Sequence, residues 1–168
     1  MSVLQWSDDF TLGVSVMDET HQEFVALLAQ VVQADDTRLM TLWSVLVEHT
    51  KTHFAREDRW MTDTGFTPDN CHSSQHQYVL KVLREGEQRG QAGELAVVRQ
   101  LAQELGIWFP QHANAMDAAL AQHLHQVGYD VVTGLVSLTE ILPSEKIDGC
   151  HGSECEPHTQ TQAKLANA

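Results

Sequence analysis

The chain has 168 residues and a formal net charge of −13 at pH 7, which suits one hydrophobic core and argues against nucleic acid or an anionic membrane surface as a partner. No stretch approaches the roughly 20 consecutive apolar residues that a membrane-spanning helix needs. The first thirteen residues lack a signal-peptide pattern and three cysteines are too few for a disulfide framework, so we expect a cytoplasmic protein.

Apolar residues at spacings of three and four predict four amphipathic helices. Their predicted N-caps are Asp18, then Asp36 or Thr37, then Asp69 or Asn70, and the fourth helix is predicted to begin near residue 92. The helices are predicted to end before residue 34, before Gly65, at Gly86 or Gly90, and near residue 125. Long amphipathic helices with short connections favour an all-α fold, an antiparallel up-down four-helix bundle.

The composition changes at the end of the chain. Residues 131–142 ("VVTGLVSLTEIL") are apolar enough to pack on the bundle as a short extra element, whereas residues 143–168 are polar and aperiodic. We therefore assign residues 1–142 to the bundle and residues 143–168 to a disordered tail. In this tail, Cys150, His151, Cys155 and His158 suggest a second metal site or a redox-active cysteine pair, but their spacing is typical of neither and we interpret them as incidental.

Each predicted helix carries ionisable residues on its apolar face. They are His21 on the first helix, His53 and Glu57 on the second, His72 and His76 on the third, and His112 and Asp117 on the fourth. A lone histidine in such a place is usually a hydrogen-bonded core residue, but burying seven such groups without compensation costs several kcal/mol for each. Metal binding in the core of the bundle, with ligands from every helix, would remove this cost.

Nitrogen ligands dominate this set, which separates it from other metal sites. A zinc protease has glutamate between its ligands (H-E-x-x-H), a structural zinc site has about four ligands and usually cysteine, and a ferritin-like site is richer in carboxylates. If both carboxylates and one oxygen atom bridge two octahedral metal ions, the five histidines leave one position open, which suits a small diatomic ligand. The pattern therefore predicts a di-metal site in the core of the bundle, and redox-active iron suits its ligands.

One spacing departs from the helical pattern. His112 and Asp117 are five residues apart, which corresponds to about 140° around an ideal helix axis. Either Asp117 reaches the site from the flank of the helix, or the helix is locally irregular. Pro110 lies close to His112 and favours the second explanation, since proline removes a backbone hydrogen bond and kinks helices.

These motifs resemble the hemerythrin family, in particular its bacterial single-domain members. The resemblance covers about residues 4–125 and rests on "WSDDFTLGVSVMDETH" (6–21), "HFAREDRWM" (53–61), "HSSQH" (72–76) and "WFPQHANAMD" (108–117). It implies two iron ions, one bound by His72, His76 and His112, the other, with the vacant position, by His21 and His53, and both bridged by Glu57 and Asp117. It also implies a bridging oxo or hydroxo group and reversible binding of O2, for storage, delivery or sensing rather than catalysis.

Three further residues are of interest beside this set. His49 has no counterpart among the family's ligands, and we interpret it as lining the O2 pocket or contacting a ligand, with an ordinary core or rim histidine as the alternative. Ala113 stands where similar proteins typically carry a bulky aliphatic residue that walls the O2 pocket. The smaller side chain would leave space that admits water and shortens the life of the oxygenated protein, unless Trp108 fills it.

Two other functions stay open from the sequence. One is a di-iron redox enzyme that acts on peroxide or nitric oxide, and the other is an iron or redox sensor. An enzyme of this kind needs a proton source beside the open metal position, and the sequence offers no evident acid there beyond the predicted ligands. O2 binding is therefore the leading hypothesis, and no protein partner is indicated.

Overall fold

The computed structural model describes residues 4–149 and confirms the predicted all-helical bundle. After a short 3₁₀ helix at Asp8–Phe10, its helices are α1 (Ser15–Gln33), α2 (Asp36–Asp63), α3 (Cys71–Gln91) and α4 (Leu95–His112). A single π-helical turn, Ala113–Asp117, continues α4 into α5 (Ala118–Val127). Short connections join successive helices, so neighbouring helices run in opposite directions, and the fourth rod of the bundle is α4, the π-turn and α5 together.

Polar side chains mark the helix starts, at positions that differ in part from the prediction. Asp35, rather than Asp36 or Thr37, caps α2, and its carboxylate accepts two backbone N–H groups of the first turn, both at 3.0 Å. Asn70 caps α3 in the same way, as one of the two predicted alternatives. Asp18 lies inside α1 instead of capping it. Its carboxylate accepts two backbone N–H groups of the preceding loop, at 2.7 and 3.0 Å, and so fixes the entry into the helix.

The inner faces of the helices form two hydrophobic clusters, since each helix packs against both of its neighbours. The large hydrophobic cluster includes Phe24, Leu28, Trp43, Leu46, Phe54, Val79, Leu105, Phe109 and Ala113. The small hydrophobic cluster includes Met17, Trp60, Met61, Phe66, Leu120, Leu124 and Ile147. Three of the four rods have residues in both hydrophobic clusters. In each of these rods, the buried residues that lie between the two clusters along the chain are polar. On α1, for example, His21 lies between Met17 and Phe24, so a polar layer separates two dry layers.

The chain turns back over the small hydrophobic cluster after α5. Gly128 ends the helix in the left-handed conformation (φ 60°), which favours glycine, and a two-stranded hairpin follows. Its strands are β1 (Tyr129–Asp130) and β2 (Leu135–Val136), and a 3₁₀ turn at Thr139–Ile141 comes next. The predicted packing of an extra element after the bundle therefore takes the form of this hairpin and turn.

Residues 143–149, which fall in the predicted tail, also contact the bundle. The backbone of Ile147 pairs with the loop between α2 and α3, donating to the Gly65 carbonyl at 3.0 Å and accepting from the Thr67 N–H at 2.9 Å. The N–H of Cys71, the first residue of α3, donates to the Asp148 carbonyl at 3.1 Å. The side chain of Ile147 and these backbone hydrogen bonds to the loop and to the start of α3 hold the segment in place.

Residues 1–3 and 150–168 lie outside the described part of the chain, and the tail cysteines and histidines that the sequence pointed out are among them. Within residues 4–149, no helix combines the length and the apolar character that crossing a membrane requires.

Candidate metal centre

The polar layer between the two hydrophobic clusters contains the seven residues that the sequence singled out. They are His21 from α1, His53 and Glu57 from α2, His72 and His76 from α3, and His112 and Asp117 from the fourth rod. Each is at most 4% exposed. Their ligand atoms lie close enough together to form two groups that could each hold a metal ion, and Glu57 belongs to both.

Each of the two carboxylates divides its oxygen atoms between two sets of histidines. Glu57 Oε1 lies 2.9 Å from His53 Nε2, and Glu57 Oε2 lies 3.3 Å from His76 Nε2. Asp117 Oδ2 lies 3.2 Å from His21 Nε2. Asp117 Oδ1 lies 3.1 Å from Nε2 of both His72 and His112. We call His72, His76 and His112 the three-histidine half, and His21 and His53 the two-histidine half. Both carboxylates lie between the halves, as bridging ligands must.

The π-turn explains how two residues five apart reach the same site. A π-helix bonds residue i to residue i+5, so Ala113–Asp117 inserts one extra residue into the helical register. His112 and Asp117 consequently both point into the bundle, whereas a regular helix would place them about 140° apart. Of the two explanations that the spacing allowed, local irregularity is correct.

Unpartnered polar atoms face one another in this layer. Among the described residues, His21 Nε2, His76 Nε2, Glu57 Oε2 and both carboxylate oxygens of Asp117 are buried and lack a hydrogen-bond partner. Buried polar atoms are almost always satisfied, so a group of unsatisfied nitrogen and oxygen atoms around one space is a site that a cation would fit. Imidazole nitrogens with carboxylate oxygens suit first-row transition metals such as iron, and the absence of thiolate does not favour structural zinc.

Burial and neighbouring charges have opposite effects on the pKa values of the cluster residues. Burial and the charge of Asp117 raise the pKa of Glu57, but the charge and hydrogen bond of His53 outweigh them and lower it. Burial lowers the pKa of His76, yet its hydrogen bond to Asp58 and the nearby Glu57 carboxylate raise it to about 9. Burial lowers the pKa of His112 to about 4. Burial and the two carboxylates thus shift the pKa values of neighbouring imidazoles in opposite directions.

Two polar residues that the sequence analysis missed contact histidines of the three-histidine half. Both contacts are to Nδ1, on the side of the ring that faces away from the interior of the cluster. Asp58 Oδ1 accepts from His76 Nδ1 at 2.8 Å, and Gln75 Oε1 lies within hydrogen-bond distance of His112 Nδ1. Each contact places the proton on Nδ1 and leaves the Nε2 lone pair for the interior. The only sequence signal was position, since Asp58 follows Glu57 and Gln75 stands between His72 and His76.

Aromatic rings fix the histidine planes on two sides. Phe54 stacks on His76 with ring centroids 3.9 Å apart, and Trp108 stacks on His112 at 4.5 Å. Trp108 therefore packs against His112, a residue of the three-histidine half.

The two-histidine half faces the large hydrophobic cluster. Phe109 meets the His21 ring edge-on at 5.2 Å and stacks on Phe24 at 4.9 Å. Ala113 is fully buried one helical turn beyond Phe109, so its methyl group lies on the same side of the rod. An aromatic ring therefore bounds one side of His21, and Ala113 is a small residue one turn further along the same rod.

His49 lies outside the cluster. Its Nε2 is 3.1 Å from Glu23 Oε2, and its ring contacts that of His53 with centroids 6.5 Å apart. Together with Arg56 and other residues of α1 and α2, it lines an open groove of about 460 Å³ whose floor includes His53. His49 thus contacts one predicted ligand from the solvent side.

A helical bundle with this buried cluster defines a cation-binding domain, and comparisons with known proteins identify its family. The profile of the hemerythrin HHE cation binding domain matches residues 12–124, and the chain belongs to this family. It is 37% identical to the bacteriohemerythrin of Ralstonia nicotianae over 130 residues, which cover 77% of this chain and 95% of that protein.

Two other similar proteins carry the same name. The bacteriohemerythrin of Stenotrophomonas maltophilia is 29% identical, over 80% of this chain and 92% of that protein. That of Pseudomonas aeruginosa is 30% identical, over 70% of this chain and 79% of that protein. No solved structure matches the chain significantly.

Proposed function

We propose that this protein binds O2 reversibly at a non-haem di-iron centre, for storage, delivery or sensing of oxygen. The observation that carries the proposal is the division of Glu57 and Asp117 between the two halves of the cluster. With both carboxylates bridging, the three-histidine half offers five protein donors and the two-histidine half offers four. The membership of the chain in the hemerythrin family supports the same function.

In this proposal, His72, His76 and His112 hold one iron, His21 and His53 hold the other, and Glu57 and Asp117 bridge them. When bound with a bridging oxo or hydroxo group, the two irons would supply a redox-active centre with one open position for O2. That position falls in the two-histidine half, which has fewer protein donors.

The surrounding side chains favour binding over turnover. Phe109 packs against His21 and stacks on Phe24, so the side of the two-histidine half that faces the large hydrophobic cluster is aromatic and offers no proton donor. His49 contacts the ring of His53, but its Nε2 contacts Glu23 and its Nδ1 has no hydrogen-bond partner, so neither nitrogen is hydrogen-bonded to a residue of the cluster. A peroxide-processing or nitric-oxide-processing enzyme would need an acid on the inner side.

The test begins with apoprotein reconstituted with Fe2+ under anaerobic conditions, followed by metal analysis and absorption spectra in nitrogen, in air and after deoxygenation. We expect close to two irons per chain and a charge-transfer band that appears in air and disappears on deoxygenation. His76→Ala should lose most of the iron, because no other side chain replaces a buried donor. His125→Ala, which changes an exposed histidine outside the cluster, serves as the control.

One zinc per chain in the native protein, or full iron retention by His76→Ala, would contradict the di-iron proposal. Immediate conversion to a stable oxidised spectrum in air would retain the metal centre but replace reversible binding by redox turnover or sensing.

A further inference from the structure

We infer that Asp58 and Gln75 are positioning residues that make the three-histidine half the tighter metal site, so that the cluster fills in a fixed order. This inference rests on the proposed di-metal function and goes beyond it. It assigns a role to two side chains outside the predicted ligand set and gives the first metal ion a defined place.

The hydrogen bonds behind the histidines are distributed unequally. In the three-histidine half, His76 Nδ1 contacts Asp58 and His112 Nδ1 contacts Gln75. In the two-histidine half, His21 Nδ1 is buried and has no hydrogen-bond partner. A partner on Nδ1 selects the tautomer whose Nε2 lone pair is available to a metal, and it makes that nitrogen more basic. The Nδ1 of His72 also lacks a partner, so two of three donors are oriented in this way.

The same two histidines are also fixed in orientation. Phe54 lies nearly parallel to His76, with an interplanar angle of 7°, and Trp108 lies on His112 at 27°. His21 meets its ring neighbours, His53 and Phe109, at 61° and 86°, so edges rather than faces bound it. A site whose donors are already oriented loses less conformational freedom on binding, which increases affinity.

The larger number of donor atoms should also increase the metal affinity of the three-histidine half. The three-histidine half gathers three imidazoles around Glu57 Oε2 and Asp117 Oδ1, with His72 Nε2 and His112 Nε2 only 3.3 Å apart. These donors already lie around one space, so one divalent ion can bind the whole set. The first ion binding there leaves Glu57 Oε1 and Asp117 Oδ2 directed at the second half, which then fills.

The two positioning residues are expected to differ in strength. Asp58 is a carboxylate with 39% of its side chain exposed, and its charge reinforces the hydrogen bond to His76. Gln75 offers a neutral amide oxygen to His112. Removing the charge of Asp58 should therefore weaken binding more than removing the amide of Gln75.

The experiment is a calorimetric titration of the apoprotein with Co2+, in competition with a chelator, followed in parallel by visible absorption. In the wild type we expect two separable steps. Asp58→Asn should weaken the first step about 10- to 100-fold and leave the second within about twofold, and Gln75→Leu should weaken the same step by less. Asp63→Asn is the matched control, since it removes a similarly exposed carboxylate (34%) from the same helix away from the cluster.

Proton NMR of the Co2+ form provides a readout that a merely structural role would not change. Protons on Nδ1 of bound histidines give exchangeable, strongly shifted signals, and Asp58→Asn should speed the solvent exchange of one of them while Asp63→Asn leaves it unaltered. His21→Ala, which removes a donor of the two-histidine half, should lose the second binding step and keep the first.

Equal first-step affinity in Asp58→Asn and wild type would overturn the inference, as would an equal loss in both steps or a weakened first step in His21→Ala. A wild type that binds a single Co2+ would contradict the proposed di-metal function. In that case the comparison of Asp58→Asn with Asp63→Asn still decides whether Asp58 positions a ligand, so the two failures are distinguishable.

Discussion

Ile147 anchors the segment that follows the hairpin, and its replacement by alanine should lower the thermal stability of the bundle. The side chain is 9% exposed and belongs to the small hydrophobic cluster. Burying an isoleucine contributes about 1.5–3 kcal/mol. We expect a loss of about 2 kcal/mol for Ile147→Ala, because the segment lies at the edge of the cluster and can detach. In a domain of this size, 1 kcal/mol shifts Tm by about 2–4 °C, so Tm should fall by about 4–8 °C.

Circular dichroism at 222 nm during heating, for the apoprotein and the iron-loaded protein, measures this difference. Lys146→Ala is the control, since it changes the exposed neighbouring residue of the same segment. Truncation after Leu142 should lower Tm by a similar amount relative to truncation after Gly149, whereas iron content stays unchanged in both because no proposed ligand lies beyond Asp117. If Ile147→Ala melts within about 1 °C of Lys146→Ala, the segment does not contribute to stability and the reasoning is wrong.

Three other changes test separate features of the molecule. Ala113→Ile should slow the decay of the oxygenated spectrum in air several-fold, because it fills space beside His21; an unchanged or faster decay would show that no such space admits water. Deletion of Ala115 should remove the extra residue of the π-turn and reduce bound iron to one per chain or less, with helix content by circular dichroism retained; two irons per chain would show that the turn is dispensable. Tyr129 donates to Asp63 at 2.6 Å, and burial and this hydrogen bond raise its pKa to about 12. The folded protein therefore keeps this proton longer than the unfolded chain, stability falls between pH 10 and 12, and Tyr129→Phe should flatten that part of a urea-unfolding pH profile.

The bundle was predictable because its signal is periodic. Apolar spacing and turn residues locate each helix within a few positions, and the errors fall where several polar residues compete for a cap, as at Asp35 and Asp36. The docking of residues 143–149 was not predictable, because it depends on one apolar residue, Ile147, and on backbone partners in a distant loop. The composition of that segment is mostly polar, and composition does not predict backbone hydrogen bonds to a distant loop.

The members of the cluster were also predictable, since ionisable residues on apolar helix faces are rare and must be compensated. The five-residue spacing of His112 and Asp117 even indicated the irregular turn, although it did not choose between the two explanations. The contacts of Asp58 and Gln75 were not predicted, because each residue contacts a histidine on the side of the ring that faces away from the site. Which polar residue reaches that side depends on the packing of the helices, and no spacing rule encodes it.

The position of the polar layer between two dry layers links the folding of this protein to the supply of metal. A cation that binds the folded bundle and ignores the unfolded chain stabilises the fold by about 2.7 kcal/mol at a free concentration one hundred times its Kd, and by about 4.1 kcal/mol at one thousand times. Without it, several buried polar atoms in the middle of the core lack a hydrogen-bond partner. For the proposed metal-binding protein, we therefore expect the fraction of unfolded chains, which proteases can reach, to rise as free metal falls.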